Sequence, residues 1–178
     1  MIRIFTGLAV PPDISASLAL LRGGLPGARW VEPSDYHVTL QFAGNIEESV
    51  AADLHEALSR IRKPPVEIIL DGLHAFGGSK PRSIVTAVRA TPSLLDLQAS
   101  HERIFKRLNI DFDARKYVPH ITIARLKAIS AANVAEFIEA RGYVRPLIFE
   151  CDKFVLYSSG KSAGGGPYVA EAEYELRA

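Results

Sequence analysis

The chain has 178 residues, 21 Lys and Arg against 20 Asp and Glu, 48% hydrophobic residues and a mean hydropathy of +0.09. Those values suit one soluble domain, or two closely fused lobes, with a substantial core, and the formal net charge of +1 argues for no particular partner. The apolar run at the start is too short for a membrane span and lacks the layout of a secretory signal, and the single cysteine, Cys151, excludes an intramolecular disulfide, so a cytoplasmic protein is expected.

In chain order, Ile2 to Val10 reads as a strand ended by Pro11-Pro12, and Ile14 to Leu21 as a helix. A strand carrying His37-Val38-Thr39-Leu40 follows, then a helix over Ser49 to Ile61 with Leu54, Leu58 and Ile61 inward. After Pro64-Pro65 comes a strand over Val66 to Leu70. The second half repeats this order: strand Ser83 to Ala90, helix Leu94 to Leu108, a strand with His120-Ile121-Thr122-Ile123, helix Ser130 to Ala140, and strand Leu147 to Tyr157. Ser49 and Ser130 are the expected helix N-caps. A last alternating strand, Pro167 to Leu176, is reached through Ser158 to Gly166. The two His segments lie 83 residues apart (120 − 37), so the chain reads as a duplicated α+β fold with halves of about 1–80 and 81–178.

Side chains alternate across a strand, so His and Thr at i and i+2 share one face while the aliphatics point to the other. Two such strands facing each other place two proton-transfer groups and two hydroxyl donors around one small anion. Five His and five Thr in 178 residues give by chance only about 0.14 His-x-Thr triplets, yet two occur with the same aliphatic neighbours. One neutral imidazole can take a proton from water while a protonated one delivers a proton to the departing oxygen. His120 is the first choice for activating water and His37 for protonating the leaving oxygen, the near-symmetry making the roles exchangeable. Thr39 and Thr122 are candidate donors to non-bridging phosphate oxygens. Arg125 is a candidate third cation, but it lies an odd number of residues from His120. It reaches the same face only if the strand ends or bulges near Ala124. Between Ser79 and Lys127, ten Lys or Arg face four Asp or Glu, an excess that favours a phosphate-bearing ligand.

Other residues read as structural. His101 falls on the apolar side of its helix, His55 on a helix flank and His74 in a loop, and none has a metal-ligand spacing. Cys151 reads as a buried thiol. Gly160-Lys161-Ser162 mimics the end of a P-loop, but the required upstream glycine is Val155 and a strand follows, so a hairpin connection is expected. No motif requires a metal or cofactor.

Through these residues the chain resembles the 2H phosphoesterases, and among them the bacterial and archaeal RNA 2′,3′-cyclic phosphodiesterases, also called 2′-5′ RNA ligases. The resemblance rests on Arg3-Ile4-Phe5-Thr6-Gly7, on Trp30-Val31 with His37 to Gly44, on Lys80-Pro81-Arg82, and on Tyr117 to Arg125. Phe154 to Ser158 and Gly166-Pro167-Tyr168 complete it. It implies a bilobal fold whose antiparallel sheets face each other across a basic cleft, with helices outside and strands shared between lobes. It implies metal-independent opening of a 2′,3′-cyclic phosphate at an RNA end to leave a 2′-phosphate, reversible as 2′-5′ ligation. His37 and His120 would be catalytic, Thr39, Thr122 and Arg125 would bind phosphate, and Arg115 and Lys116 would steer the RNA of a monomeric enzyme. Two departures stand out: Gly7-Leu8-Ala9-Val10, where an extra small residue sits in the opening strand, and Ser83-Ile84-Val85-Thr86 where the family often carries an aromatic. Two other readings use the same cleft, a nucleotide- or RNA-binding module without chemistry and a phosphodiesterase for another cyclic or 2′-5′ linked nucleotide.

Overall fold

The computed structural model describes residues 1–141, 145–160 and 166–178. Among the described residues nine strands form two antiparallel sheets, and four α-helices cover them. The first sheet is ordered β3-β1-β8-β9, from β1 (Ile2–Ala9), β3 (His37–Ile46), β8 (Lys153–Ser159) and β9 (Tyr168–Glu175). The second is ordered β2-β6-β5-β4-β7, from β2 (Arg29–Trp30), β4 (Val66–Phe76), β5 (Ser83–Val88), β6 (His120–Arg125) and β7 (Leu147–Cys151). The helices are α1 (Pro12–Ala19), α2 (Glu48–Ser59), α3 (Pro92–Arg107) and α4 (Ala131–Ala140).

Local chemistry explains the main elements. In α3 the Thr91 hydroxyl accepts the Leu94 N–H, Pro92 occupies the first turn where no N–H partner is needed, and Lys106 and Arg107 lie in the last turn. Its apolar stripe buries Leu94, Leu97, Ile104 and Phe105 against strands of both sheets. Leu94 and Leu97 are fully buried, so truncating either to Ala costs about 2–5 kcal/mol. Ser130 caps α4 by accepting the Asn133 N–H. Ile4, Leu8 and Val38 of the first sheet and Ile84, Ile121 and Ile123 of the second belong to one continuous hydrophobic cluster.

Several sequence expectations need correction. Leu147 to Tyr157 is not one strand: it breaks at Asp152, so that β7 pairs with β4 in the second sheet while β8 pairs with β1 in the first. The strand from Val66 does not stop at Leu70. It continues through a bulge, where Gly72 takes φ +80, to Phe76, and His74 therefore lies on a strand rather than in a loop. Ser49 is not a cap: α2 begins at Glu48 with Glu47 at the N-cap position and no side-chain bond. Strands are shared between the lobes, as the resemblance implies, and the sequence halves are not the two sheets. The first sheet takes β1 and β3 from one half and β8 and β9 from the other, and the second sheet takes β2 and β4 from the first half.

Candidate active site

The two His-x-Thr segments open β3 and β6, strands that meet where the sheets adjoin. In both, the alternation buries the aliphatics (Val38 and Leu40; Ile121 and Ile123) and turns His and Thr to the cleft. His37, Thr39, His120, Thr122 and Arg125 line one cavity of about 200 Å³, together with Asp35, Ser83 and Tyr168.

The imidazoles are held alike. His37 Nδ1–H donates to the Asp35 carbonyl at 2.8 Å, and His120 Nδ1–H donates to the Val118 carbonyl at 2.8 Å. Each bond places the proton on Nδ1 and leaves Nε2 as the reactive nitrogen. The Thr39 hydroxyl lies 3.1 Å from His37 Nε2. Burial pushes the His37 pKa down to about 4, with His120 and Arg125 lowering it further and the Asp35 carbonyl and charge opposing. Burial and the Arg125 charge also lower that of His120, against the Val118 bond. Both rings are therefore neutral in the free protein near pH 7.

Arg125 reaches the cavity because β6 bulges. Ile84 pairs with Ala124 and Val85 with Thr122, leaving Ile123 as an extra residue, so Ile123 and Ala124 are both buried and the alternation resets. The first repeat carries the same device: Thr6 pairs with Gln41 and Gly7 with Thr39, leaving Leu40. Leu40 and Ile123 are 83 residues apart (123 − 40), as the motifs are, and the bulges bring Phe42 and Arg125 to matching places in the cleft. The Arg125 Nε is buried without a hydrogen-bond partner, and among the described residues no carboxylate pairs with it. The site thus combines two neutral imidazoles with an unneutralised cation. A bound phosphate would give Arg125 a partner and raise the affinity of both rings for protons.

An aromatic enclosure around His37 is not readable from sequence. Phe5 lies 4.8 Å, Tyr168 5.2 Å and Tyr157 5.7 Å from the imidazole, ring centre to ring centre. These rings come from three strands, and only β1 lies beside β3 in the sheet. Gly7 makes room for them: a Cβ there would sit 2.9 Å from the Val38 carbonyl oxygen and 3.5 Å from both the His37 and Tyr157 rings. The small residue in the opening strand is thus a packing requirement at the site itself. On the other side, Phe76 meets His120 edge-on at 4.8 Å, and the Tyr117 hydroxyl donates to the Thr39 carbonyl at 2.7 Å, tying the approach to β6 onto β3. Arg115 and Lys116 flank an arm of about 590 Å³ beyond His120, where Arg82 joins them and Arg115 is paired with Asp113.

The remaining histidines are elsewhere. His101 is fully buried on α3, with Nδ1 2.9 Å from the Thr6 hydroxyl, while His55 bonds the Tyr174 hydroxyl at 2.7 Å. Burial pushes the Cys151 thiol up to about 12. Lys161 and Ser162 of the P-loop mimic lie outside the described residues; β8 and β9 on either side pair antiparallel. Among the described residues no helix is long and apolar enough to cross a membrane.

Known proteins resemble this chain in sequence or in fold. The chain is 31% identical over 153 residues to an RNA 2′,3′-cyclic phosphodiesterase of Aquifex aeolicus, covering 83% of this chain and 81% of the relative. To an enzyme of the same name from Geobacillus stearothermophilus it is 33% identical over 127 residues, 66% of this chain and 40% of the relative's length. Among solved structures, one from Thermus thermophilus superimposes with a TM-score of 0.80 at 23% identity over 98% of each chain. Escherichia coli LigT complexed with 3′-AMP does so with 0.78 at 21% over 98% of each. The model of the LigT-like phosphoesterases matches the sequence twice in succession, over residues 8–86 and 87–168, and the chain belongs to that family.

Proposed function

We propose that this protein is a metal-independent RNA 2′,3′-cyclic phosphodiesterase that opens the cyclic phosphate at an RNA end to a 2′-phosphate, with His37 and His120 as acid and base. The observation that carries the reading is the convergence of two imidazoles, each with Nδ1 tied to a carbonyl and Nε2 left for the cleft, where the Thr39 hydroxyl meets that of His37, beside Arg125, whose buried Nε has no hydrogen-bond partner. The names of the Aquifex and Geobacillus relatives, and the nucleotide in the LigT complex, support the same substrate class.

In the reaction, a water oxygen bonds to phosphorus and its proton passes to the Nε2 of one neutral imidazole. The bond from phosphorus to O3′ breaks, and the other imidazole, protonated as the anionic substrate binds, gives its Nε2 proton to O3′. Thr39, Thr122 and Arg125 stabilise the non-bridging oxygens, whose charge grows as water adds. The sequence suggests His120 as base and His37 as acid. The deeper burial of His37 makes His120 the first ring to protonate as pH falls, which favours the exchanged roles. With a 5′-hydroxyl in place of water, the same steps in the same direction form a 2′-5′ linkage, and their reversal opens that linkage to regenerate the cyclic phosphate. Residues 1–178 are read as one bilobal domain acting as a cytoplasmic monomer.

The test is hydrolysis, in excess EDTA, of an oligoribonucleotide ending in a 2′,3′-cyclic phosphate. A 2′-phosphate should accumulate, and His37→Ala and His120→Ala should each lose roughly 10²–10⁴ in rate. Retained turnover in either variant would overturn the acid–base pair, and loss of turnover in EDTA would overturn metal independence. Binding of the oligonucleotide without product would make this a binding module.

A further inference from the structure

The cleft does not end at the two histidines. A hollow of about 250 Å³ runs from His37 along the first sheet to Arg3 and Ser159, walled by Phe5, Phe42 and Tyr168. We propose that Arg3 and Ser159 form a second phosphate site, which takes the 5′-phosphate of the nucleotide bearing the cyclic end, so that an RNA terminus is preferred over a cyclic nucleoside phosphate with a free 5′-hydroxyl. This rests on the phosphodiesterase reading of the histidine pair and adds a specificity determinant to it.

Register places these groups. Arg3 is directly opposite Ser159, and Ser159 opposite Tyr168, so the three residues form one row across β1, β8 and β9. Phe5 and Tyr157, which flank the His37 ring, form the next row. Two residues of strand separate the rows, about 7 Å. That spacing puts a cation one step along the sheet from the reacting phosphorus, with aromatic walls between for the sugar and base. The Arg3 guanidinium lies 5.1 Å from the centre of the Phe42 ring, a contact that holds its direction without neutralising its charge. Among the described residues Arg3 makes no ion pair or hydrogen bond through its side chain, and its neighbour on β3 is the uncharged Asn45. A half-buried arginine with an unspent charge, beside a hydroxyl at the end of an aromatic trough, fits a phosphate monoester or diester.

Calorimetric titration of the full chain with adenosine 2′-monophosphate and adenosine 2′,5′-bisphosphate tests this without turnover. The bisphosphate should bind about tenfold tighter or more, as expected for a charge-assisted contact, and Arg3→Gln should bring the two affinities together. Equal affinities in the native protein, or a preference unchanged in Arg3→Gln, would overturn the second site. Hydrolysis of adenosine 2′,3′-cyclic phosphate with and without a 5′-phosphate separates this failure from that of the main reading. Equal turnover of both with equal product affinities removes only the Arg3 site. Tighter, Arg3-dependent binding of the bisphosphate with no turnover keeps that site and removes the phosphodiesterase.

Discussion

Acidification from pH 7 to pH 5 should destabilise this protein through its buried imidazoles, and His101 should carry about 2 kcal/mol of the loss. Its ring is fully buried, Nδ1 lies 2.9 Å from the Thr6 hydroxyl, Nε2 has no partner, and Phe154 meets it edge-on at 4.7 Å. Burial lowers its pKa from 6.5 to about 3. The folded state therefore favours the neutral ring, so the contribution to stability is complete above 6.5 and disappears as pH falls toward 3. The full difference corresponds to about 5 kcal/mol, of which about 2 kcal/mol is lost by pH 5. His37, lowered to about 4, adds about 2 kcal/mol over the same interval. Urea denaturation at the two pH values, in the native chain and in His101→Leu, reads this out. The variant's absolute stability does not matter, only its change between pH 7 and pH 5. The native chain should lose about 2 kcal/mol more than the variant. An equal loss in both would show that His101 does not titrate as a buried neutral ring.

Three further outcomes follow from the cleft. Arg125→Gln keeps the shape and removes the charge; kcat/KM on a cyclic-phosphate RNA should fall about 10–100-fold, and the His37 and His120 rings should titrate at higher pH by NMR because the cation that lowers them is gone. Gly7→Ala should cost about 1–3 kcal/mol in denaturant unfolding, as overpacking does, and should slow turnover by displacing the His37 ring; unchanged stability and rate would contradict the close approach at the Val38 carbonyl. Asp35→Asn removes a negative charge that raises the His37 pKa, so the NMR titration of His37 should move to lower pH, and a move to higher pH would refute the assignment.

The motif faces are legible in the sequence because they depend only on the two-residue period of a strand: His and Thr out, aliphatics in, on both repeats. The same period exposes Arg125 as a problem of parity, and the bulge at Ile123 is the local answer. What stays hidden lies between strands. No pattern within Leu147 to Tyr157 announces that the chain changes sheets at Asp152, since both pieces are apolar and extended. The strand expected to end at Leu70 runs on to Phe76, because pairing with β7 before Gly72 and with β5 after it carries β4 through the bulge. The rings of Phe5, Tyr157 and Tyr168 are assembled by register across β1, β8 and β9, which local periodicity does not encode. Ser49 is a cap by residue type, but Glu47 and Glu48 precede it, and the chain turns into the helix two residues earlier than the serine requires.

The exchange of strands between the two halves has a consequence for how such a chain is made and divided. β4, from the first half, lies hydrogen-bonded between β5 and β7 of the second, and β8 and β9 of the second complete the sheet begun by β1 and β3. A polypeptide cut near Ser79 would leave each fragment with raw edges and half a core, unable to fold alone but shaped to recombine with the other. Copies that arose by doubling have thereby become obligate partners. The emerging first half must wait for the C-terminal hairpin before its histidine is enclosed.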